Sequence, residues 1–237
     1  MENNKYKILH KYEGLYKFSP KIYNAVYYIR EEGIITFLVN LYFGKFFLSG
    51  AVKRINSETS KNVSGLDELL NYSEAFDYFG IKLWPGQNRF EILTLLKILK
   101  KQNLKVLLEI GTAGGGTMFL FSRIASPVAT VMSIDNNYGW RKNLIQSFVT
   151  KKQKVVLLEM NSHQNNTRNT VKRILKNNKL DFLFIDGDHS YNGVKKDFSM
   201  YSRFVKKGGI IAIHDILLDN TVGKFYQENI TPINFIA

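Results

Sequence analysis

The chain has 237 residues, a formal net charge of +13, 45% apolar and 22% charged residues, and no cysteine. That length holds one α/β domain with a sizeable core and an extension. Zero cysteines exclude disulfides, thiolate metal sites and a cysteine nucleophile, and suit a reducing cytoplasm. The positive charge favours anionic partners, but lysine pairs such as Lys100-Lys101, Lys195-Lys196 and Lys206-Lys207 are spread along the chain. Several fall near predicted helix C-termini, where cations complement the helix dipole. This reads as a solvated basic surface rather than a nucleic-acid footprint.

The start, M-E-N-N-K-Y-K, lacks an apolar core followed by a small-residue cleavage site, so no secretory signal is expected. Residues 1–80 are aromatic and helical in pattern, with segments at 21–32, 34–48 and 65–79 and a polar linker expected at 56–64. Residues 33–52 are almost long enough to span a bilayer. Asn40 and Lys45 lie inside that stretch, and a central lysine costs about 2.5–3.5 kcal/mol on insertion scales. A helix packed on the rest of the protein or on a second copy is expected. Peripheral membrane contact, helped by Lys53 and Arg54, stays open.

From residue 81 a second domain is expected. Trp84-Pro85-Gly86 makes a turn, and a helix follows over 88–101 with Ile92, Leu95, Leu96 and Leu99 on one face. Short apolar strand candidates then alternate with helical stretches. The strands are expected at 105–110, 130–134, 155–160, 182–185 and 210–213, and the helices at 118–125, 140–150, 167–176 and 191–205. This alternation predicts right-handed β-α-β crossovers in an α/β, Rossmann-like, doubly wound and mainly parallel sheet.

Ligands of such sheets bind beyond the strand C-termini, near the point where strand order reverses. The residues there are Glu109 and Gly111; Asp135 and Asn136; Asn161 and Ser162; Asp186, Asp188 and His189; and His214 and Asp215. Five consecutive strand ends thus carry polar groups. The first runs into a glycine loop, V-L-L-E-I-G-T-A-G-G-G-T, whose Gly111 and Gly115 permit close approach to the main chain and whose Thr117 opens the next helix. Its spacing matches neither G-x-G-x-x-G nor a phosphate-binding loop. Glu109 would repel a pyrophosphate and suits a cationic or hydroxyl-rich ligand. Asp135, one β-α unit later, can accept from both hydroxyls of a ribose, as in nicotinamide-binding folds. Asn161 reads by itself as a helix cap or turn residue.

The glycine loop resembles the first motif of class I S-adenosylmethionine-dependent methyltransferases, in the form seen in small-molecule O-methyltransferases. F-L-F-I-D-G-D-H-S-Y-N-G-V-K-K-D-F (182–198), V-K-K-G-G-I-I-A-I-H-D (205–215) and Q-N-R-F-E-I (87–92) closely resemble a family related to the cephalosporin-biosynthesis "hydroxylase" and to sugar O-methyltransferases. The resemblance implies S-adenosylmethionine at Glu109, Gly111, Gly115, Thr117, Asp135, Asn136, Asn161 and Ser162, and an acceptor hydroxyl on a small molecule or glycan. Metal-dependent relatives use acids from the fourth and fifth strand ends. That points to Asp186 and Asp215, with His214 or Asp188 completing the shell of a cation such as Mg²⁺. Relatives often carry a carboxylate where this chain has His214. His189 is the candidate general base, since a near-neutral imidazole suits proton removal, with Asp186 beside it.

After Asp215 the family pattern expects a helix, here 222–229, and two closing strands. Only 233–236 supplies one, so the last edge strand is expected to be missing. Three other readings stay open: a non-catalytic cofactor-binding or membrane-side scaffold, an NAD-dependent oxidoreductase that the glycine spacing disfavours, and an RNA methyltransferase.

Overall fold

The computed structural model describes residues 44–62, 65–149 and 152–214. The segments expected at 21–32, 222–229 and 233–236, most of the apolar stretch at 33–52, and Asp215 lie outside the described residues. Contacts divide the chain into two compact units, Met1–Ala51 with Asp77–Ile81 and Val52–Phe76 with Lys82–Ala237.

Helix α1 spans Gly44–Asn62, which overturns residues 56–62 of the linker expected at 56–64; 63 and 64 lie outside the described residues. The polar residues that suggested a loop are satisfied along the helix itself. Arg54 Nε donates to Glu58 Oε1 at 2.8 Å, one turn away, and Thr59 Oγ1 donates to the Ile55 carbonyl at 2.6 Å. Ile55 is fully buried. Among the described residues no helix is long and apolar enough to cross a membrane.

The helix expected at 65–79 is shorter: α2 covers Leu66–Ala75 and ends where Phe76 turns extended. A two-stranded hairpin follows, β1 (Asp77–Tyr78) and β2 (Ile81–Lys82). Phe79 (φ 52°) and Gly80 (φ 79°) make its turn, and Asp77 Oδ1 accepts from the Gly80 N–H at 2.8 Å. Phe47 stacks on Phe79 with ring centroids 4.5 Å apart.

Helix α3 spans Arg89–Lys100, one residue inside each expected end. Asn88 caps it, its Oδ1 accepting from the N–H groups of Phe90 and Glu91. The four expected apolar residues, Ile92, Leu95, Leu96 and Leu99, are all buried, at about 2 kcal/mol of transfer free energy each.

Five parallel strands follow: β3 (Val106–Ile110), β4 (Thr130–Asp135), β5 (Lys154–Glu159), β6 (Leu180–Ile185) and β7 (Val205–Ile213). Their order across the sheet is β5-β4-β3-β6-β7, with every pairing parallel. Helices α4 (Gly116–Ile124), α5 (Arg141–Gln146), α6 (Asn165–Leu175) and α7 (Tyr191–Tyr201) make the crossovers. The fold is therefore the Rossmann-like doubly wound sheet. Strand β7 begins five residues before the expected 210 because the ladder to β6 continues through a register shift near Leu180. Helix α7 is correspondingly shorter than 191–205 and ends in a 3₁₀ turn over Ser202–Phe204.

Alternate strand residues feed two cores. Leu108, Ile110, Met132, Ile134, Leu183 and Ile185 pack with Val171 and Leu175 of α6 and with Met200 and Tyr201 of α7. On the other face Phe121 of α4 meets Phe182 and Phe184 edge-on, with centroids 5.1 and 5.3 Å away. From β3 the chain winds outward through β4 to β5 and then returns to place β6 on β3's other side. The crevice where the direction reverses lies between the C-terminal ends of β3 and β6.

Candidate functional site

Gly111 leaves β3 at φ 85°, and its N–H donates to the Ile134 carbonyl at 2.9 Å. A Cβ at this position would lie 2.6 Å from the Asp186 carbonyl carbon and 2.7 Å from the Gly187 Cα. Only glycine fits both the backbone angle and that gap. The end of β3 thus lies directly against the end of β6. Gly115, at φ 87°, forms the N-cap of α4, where a Cβ would meet Ile145 at 2.9 Å.

Asp135 braces the loop from β4. Its Oδ2 accepts from the N–H groups of Thr112 (2.8 Å) and Ala113 (3.1 Å), and its Oδ1 from the N–H of Asn137 (3.0 Å). The sequence reading has this carboxylate accept from both hydroxyls of a ribose. The fold gives it three internal bonds, and four lone-pair sites on the two oxygens leave capacity for one more donor. Asn136 beside it is exposed.

Glu109 is 2% exposed, and neither of its oxygens has a hydrogen-bond partner. The Thr117 and Thr112 hydroxyls lean toward it without closing a bond of good geometry. The Thr112 hydroxyl is engaged with Ser133 Oγ, which in turn meets the Tyr138 hydroxyl at 2.9 Å. Burial pushes the Glu109 carboxyl up to about 8, with the nearby Asp186 and Asp135 charges adding to the rise and the two threonines opposing it. A buried carboxyl without a hydrogen-bond partner at a sheet's switch point is held in its protonated, neutral form by that burial.

The second half of the site gathers at β6 and β7. Asp186 N–H donates to the Ile110 carbonyl at 2.8 Å and His214 N–H to the Ile185 carbonyl at 3.0 Å, so both residues continue the strand ladders into the crevice. Asp186 Oδ1 lies 3.0 Å from His214 Nδ1 and 3.4 Å from His189 Nε2. Burial alone would raise the Asp186 carboxyl; hydrogen bonds and charge from His189 and His214 outweigh it and hold the group below the usual carboxylate range. The His189 side chain is 54% exposed and that of His214 18%. Asp186, His189 and His214, expected from the sequence in separate catalytic and metal-binding sets, are thus brought together.

Sequence reasoning missed Gln87 as a member of this group. Its Nε2 donates to Asp186 Oδ2 at 2.9 Å across 99 residues of chain. The signal available was the Q-N-R-F-E-I run at the start of α3, which carries no chemistry by itself.

Asp188 and Ser190 serve the start of α7. Asp188 Oδ1 accepts from the Ser190 N–H at 2.9 Å, and Ser190 Oγ accepts from the Gly193 N–H at 3.1 Å as the helix cap. Asn161 makes the turn after β5, its Oδ1 accepting from the His163 N–H at 2.8 Å. The Ser162 carbonyl accepts from the Tyr201 hydroxyl at 2.7 Å. The fully buried Asp197 lies 3.4 Å from His163 Nε2. These residues follow β5, separated from β3 by β4.

Of the expected metal set, Asp186 and His214 meet, and Asp215 lies outside the described residues. Among the described residues no group of three or more acidic or imidazole side chains is arranged to hold a metal. Mg²⁺ prefers oxygen donors in near-octahedral geometry. Here Asp186 Oδ2 is taken by Gln87, and Oδ1 faces imidazole nitrogens. Asp186 and His214 by themselves do not make the oxygen-rich shell that Mg²⁺ prefers, and Asp215, the other expected ligand, lies outside the described residues.

Residues 108–216 match a family described as "Methyltransferase domain". The chain is 34% identical over 140 residues to the uncharacterized protein R132 of Acanthamoeba polyphaga mimivirus, a match covering 53% of this chain and 58% of that protein. The chain therefore spans little more than half the length of this relative. Among solved structures it is similar to the O-methyltransferase TomG of Streptomyces achromogenes, involved in tomaymycin synthesis and solved with SAM. That match has 14% identity, a TM-score of 0.47, and covers 75% of this chain and 76% of TomG. It is also similar to a putative caffeoyl-CoA O-methyltransferase of Staphylococcus aureus, with 21% identity, a TM-score of 0.48, and coverage of 76% and 79%.

Proposed function

We propose, from the match of residues 108–216 to a methyltransferase-domain family and from the doubly wound sheet, that the protein is a class I methyltransferase that transfers a methyl group from S-adenosylmethionine to a hydroxyl of a small molecule or glycan. The observation that carries this reading is Glu109, a buried carboxyl without a hydrogen-bond partner beneath a glycine turn at the switch point. A cationic ligand near that turn would draw the carboxyl into its ionised form and pair with it. An anionic pyrophosphate would not. Asp135 has one acceptor position left for a ribose hydroxyl, and Gly111, Gly115 and Thr117 shape the loop around it.

S-adenosylmethionine, when bound, supplies a methyl carbon on a positively charged sulfur. What the protein must add is an aligned and deprotonated oxygen. Asp186 Oδ1 faces His189 Nε2 and so favours the tautomer with its proton on that nitrogen. The other ring nitrogen is then the base that takes the acceptor's proton. Once His189 has taken that proton, its imidazolium would be balanced by the Asp186 carboxylate. Asp186 thereby orients His189 as the third group of a triad orients its base.

Calorimetric titration with S-adenosylhomocysteine tests the reading. Micromolar binding that is lost in Asp135→Ala supports it. Failure of the wild-type protein to bind, together with binding of a nicotinamide dinucleotide, would replace methyl transfer with hydride transfer.

A further inference from the structure

We propose that Gln87 is a positioning residue for the reaction half of the site, fixing the Asp186 carboxylate so that one oxygen is committed to the amide and the other to the two imidazoles. The inference deepens the methyl-transfer reading and rests on it for its functional meaning; the geometry stands independently.

Asp186 has two oxygens and three neighbours. Gln87 Nε2 takes Oδ2 at 2.9 Å, and Oδ1 is shared by His214 Nδ1 and His189 Nε2 at 3.0 and 3.4 Å. An aspartate side chain rotates about one terminal bond with a broad, two-fold profile. An amide holding Oδ2 removes that freedom and aims Oδ1 at the imidazoles. The chemistry of the donor matters. A lysine or arginine at 87 would add a positive charge and compete with the histidines for the carboxylate, while a glutamate would repel it. A neutral amide anchors Asp186 and leaves its charge available.

The anchor is held at both ends. Upstream, the Leu83 and Trp84 carbonyls occupy the space that a Cβ on Gly116 would need, so this segment lies against the first turn of α4. Pro85 is buried, and Gly86 turns the chain at φ 72°. Downstream, Asn88 caps α3. Gln87 sits between a segment packed on the glycine-loop helix and a capped helix start. Its side chain therefore ties the cofactor half of the site to the reaction half.

The test exchanges the partners. Gln87→Glu sets two carboxylates against each other and lowers the melting temperature at pH 7.5 by several degrees. Combining it with Asp186→Asn restores one amide and one carboxylate with the roles reversed, and recovers most of that loss. Gln87→Met keeps the length of the side chain but removes the donor. Crystals of this variant show the Asp186 carboxylate turned away from its wild-type orientation, while S-adenosylhomocysteine binds within two-fold of wild type. An Asp186 unchanged in Gln87→Met, or no recovery in the double variant, overturns the proposal. A role in packing alone would leave Asp186 in place in Gln87→Met and show no rescue by the swap. If the wild type fails to bind S-adenosylhomocysteine, the methyl-transfer reading falls, while the crystal and rescue results still decide whether Gln87 positions Asp186. With any acceptor that supports turnover, Gln87→Met lowers kcat ten-fold or more with the cofactor KM unchanged.

Discussion

Replacing Glu109 with glutamine separates the cost of an orphaned buried acid from everything else in the fold. The unfolded chain ionises this side chain near 4.5, whereas the folded protein retains its proton to about 8. Between those limits the unfolded state has released a proton that the native state keeps, so stability falls as pH rises and levels off above the folded value. At 1.36 kcal/mol per pH unit, the 3.5-unit gap between the two values corresponds to about 5 kcal/mol. Glutamine has nearly the same shape and does not titrate. The difference in unfolding free energy between wild type and Glu109→Gln should therefore fall by about 5 kcal/mol from pH 4 to pH 9, with the variant relatively favoured at the alkaline end. Urea unfolding of both proteins at half-unit pH intervals measures this, and subtraction cancels every other titrating group. Curves that stay parallel across the range would refute the reasoning. A cation held over Glu109 favours the ionised form, so saturating S-adenosylmethionine should flatten the wild-type dependence, and binding at pH 7 should release close to one proton.

Other expectations follow from the same geometry. Gly111→Ala forces a Cβ against the end of β6 at a left-handed backbone angle; it should cost about 2 kcal/mol or more and abolish S-adenosylhomocysteine binding by calorimetry. Asp135→Ala removes three bonds between a charged acceptor and backbone N–H groups, so chemical denaturation should show a loss of about 3 kcal/mol or more, where a ligand-only role predicts none. His189→Ala should lower kcat by about 10²-fold or more in a radiolabelled methyl-transfer assay while the dissociation constant for S-adenosylhomocysteine stays within two-fold. Chelation with EDTA should leave that dissociation constant unchanged, because Asp135 and the glycine turn bind without a cation; a ten-fold loss would place a metal in the cofactor half.

The parallel sheet was legible because its strands are short apolar runs and each stops at a polar residue, a pattern that follows from burial on both faces. Glu109, Asp186, His189 and His214 could be singled out for the same reason: strand C-termini are where such sheets are open. Gln87 could not, since a contact across 99 residues is a product of tertiary folding and leaves no local trace. Residues 56–62 were misread because serine, asparagine and lysine resemble a loop by composition, while their helical state depends on side-chain bonds one turn away and on the burial of Ile55. Asp135 shows a subtler limit. Its type and position pointed to a ligand, but its first obligation is to the amides of its own glycine loop.

Sheets fray first at their edges, and β5 is an edge strand whose residues are all partly or fully exposed. Its C-terminal loop is nevertheless fastened to α7, by the Tyr201 hydroxyl on the Ser162 carbonyl and by the approach of His163 to the fully buried Asp197. Tyr201 belongs to the core beneath the sheet. Local opening of the edge should therefore stop short of the loop carrying Asn161 and Ser162, which is expected to open together with α7. Amide exchange should be fast along β5 and slow just beyond its end, an inversion of the usual order in which loops open before the strands they join.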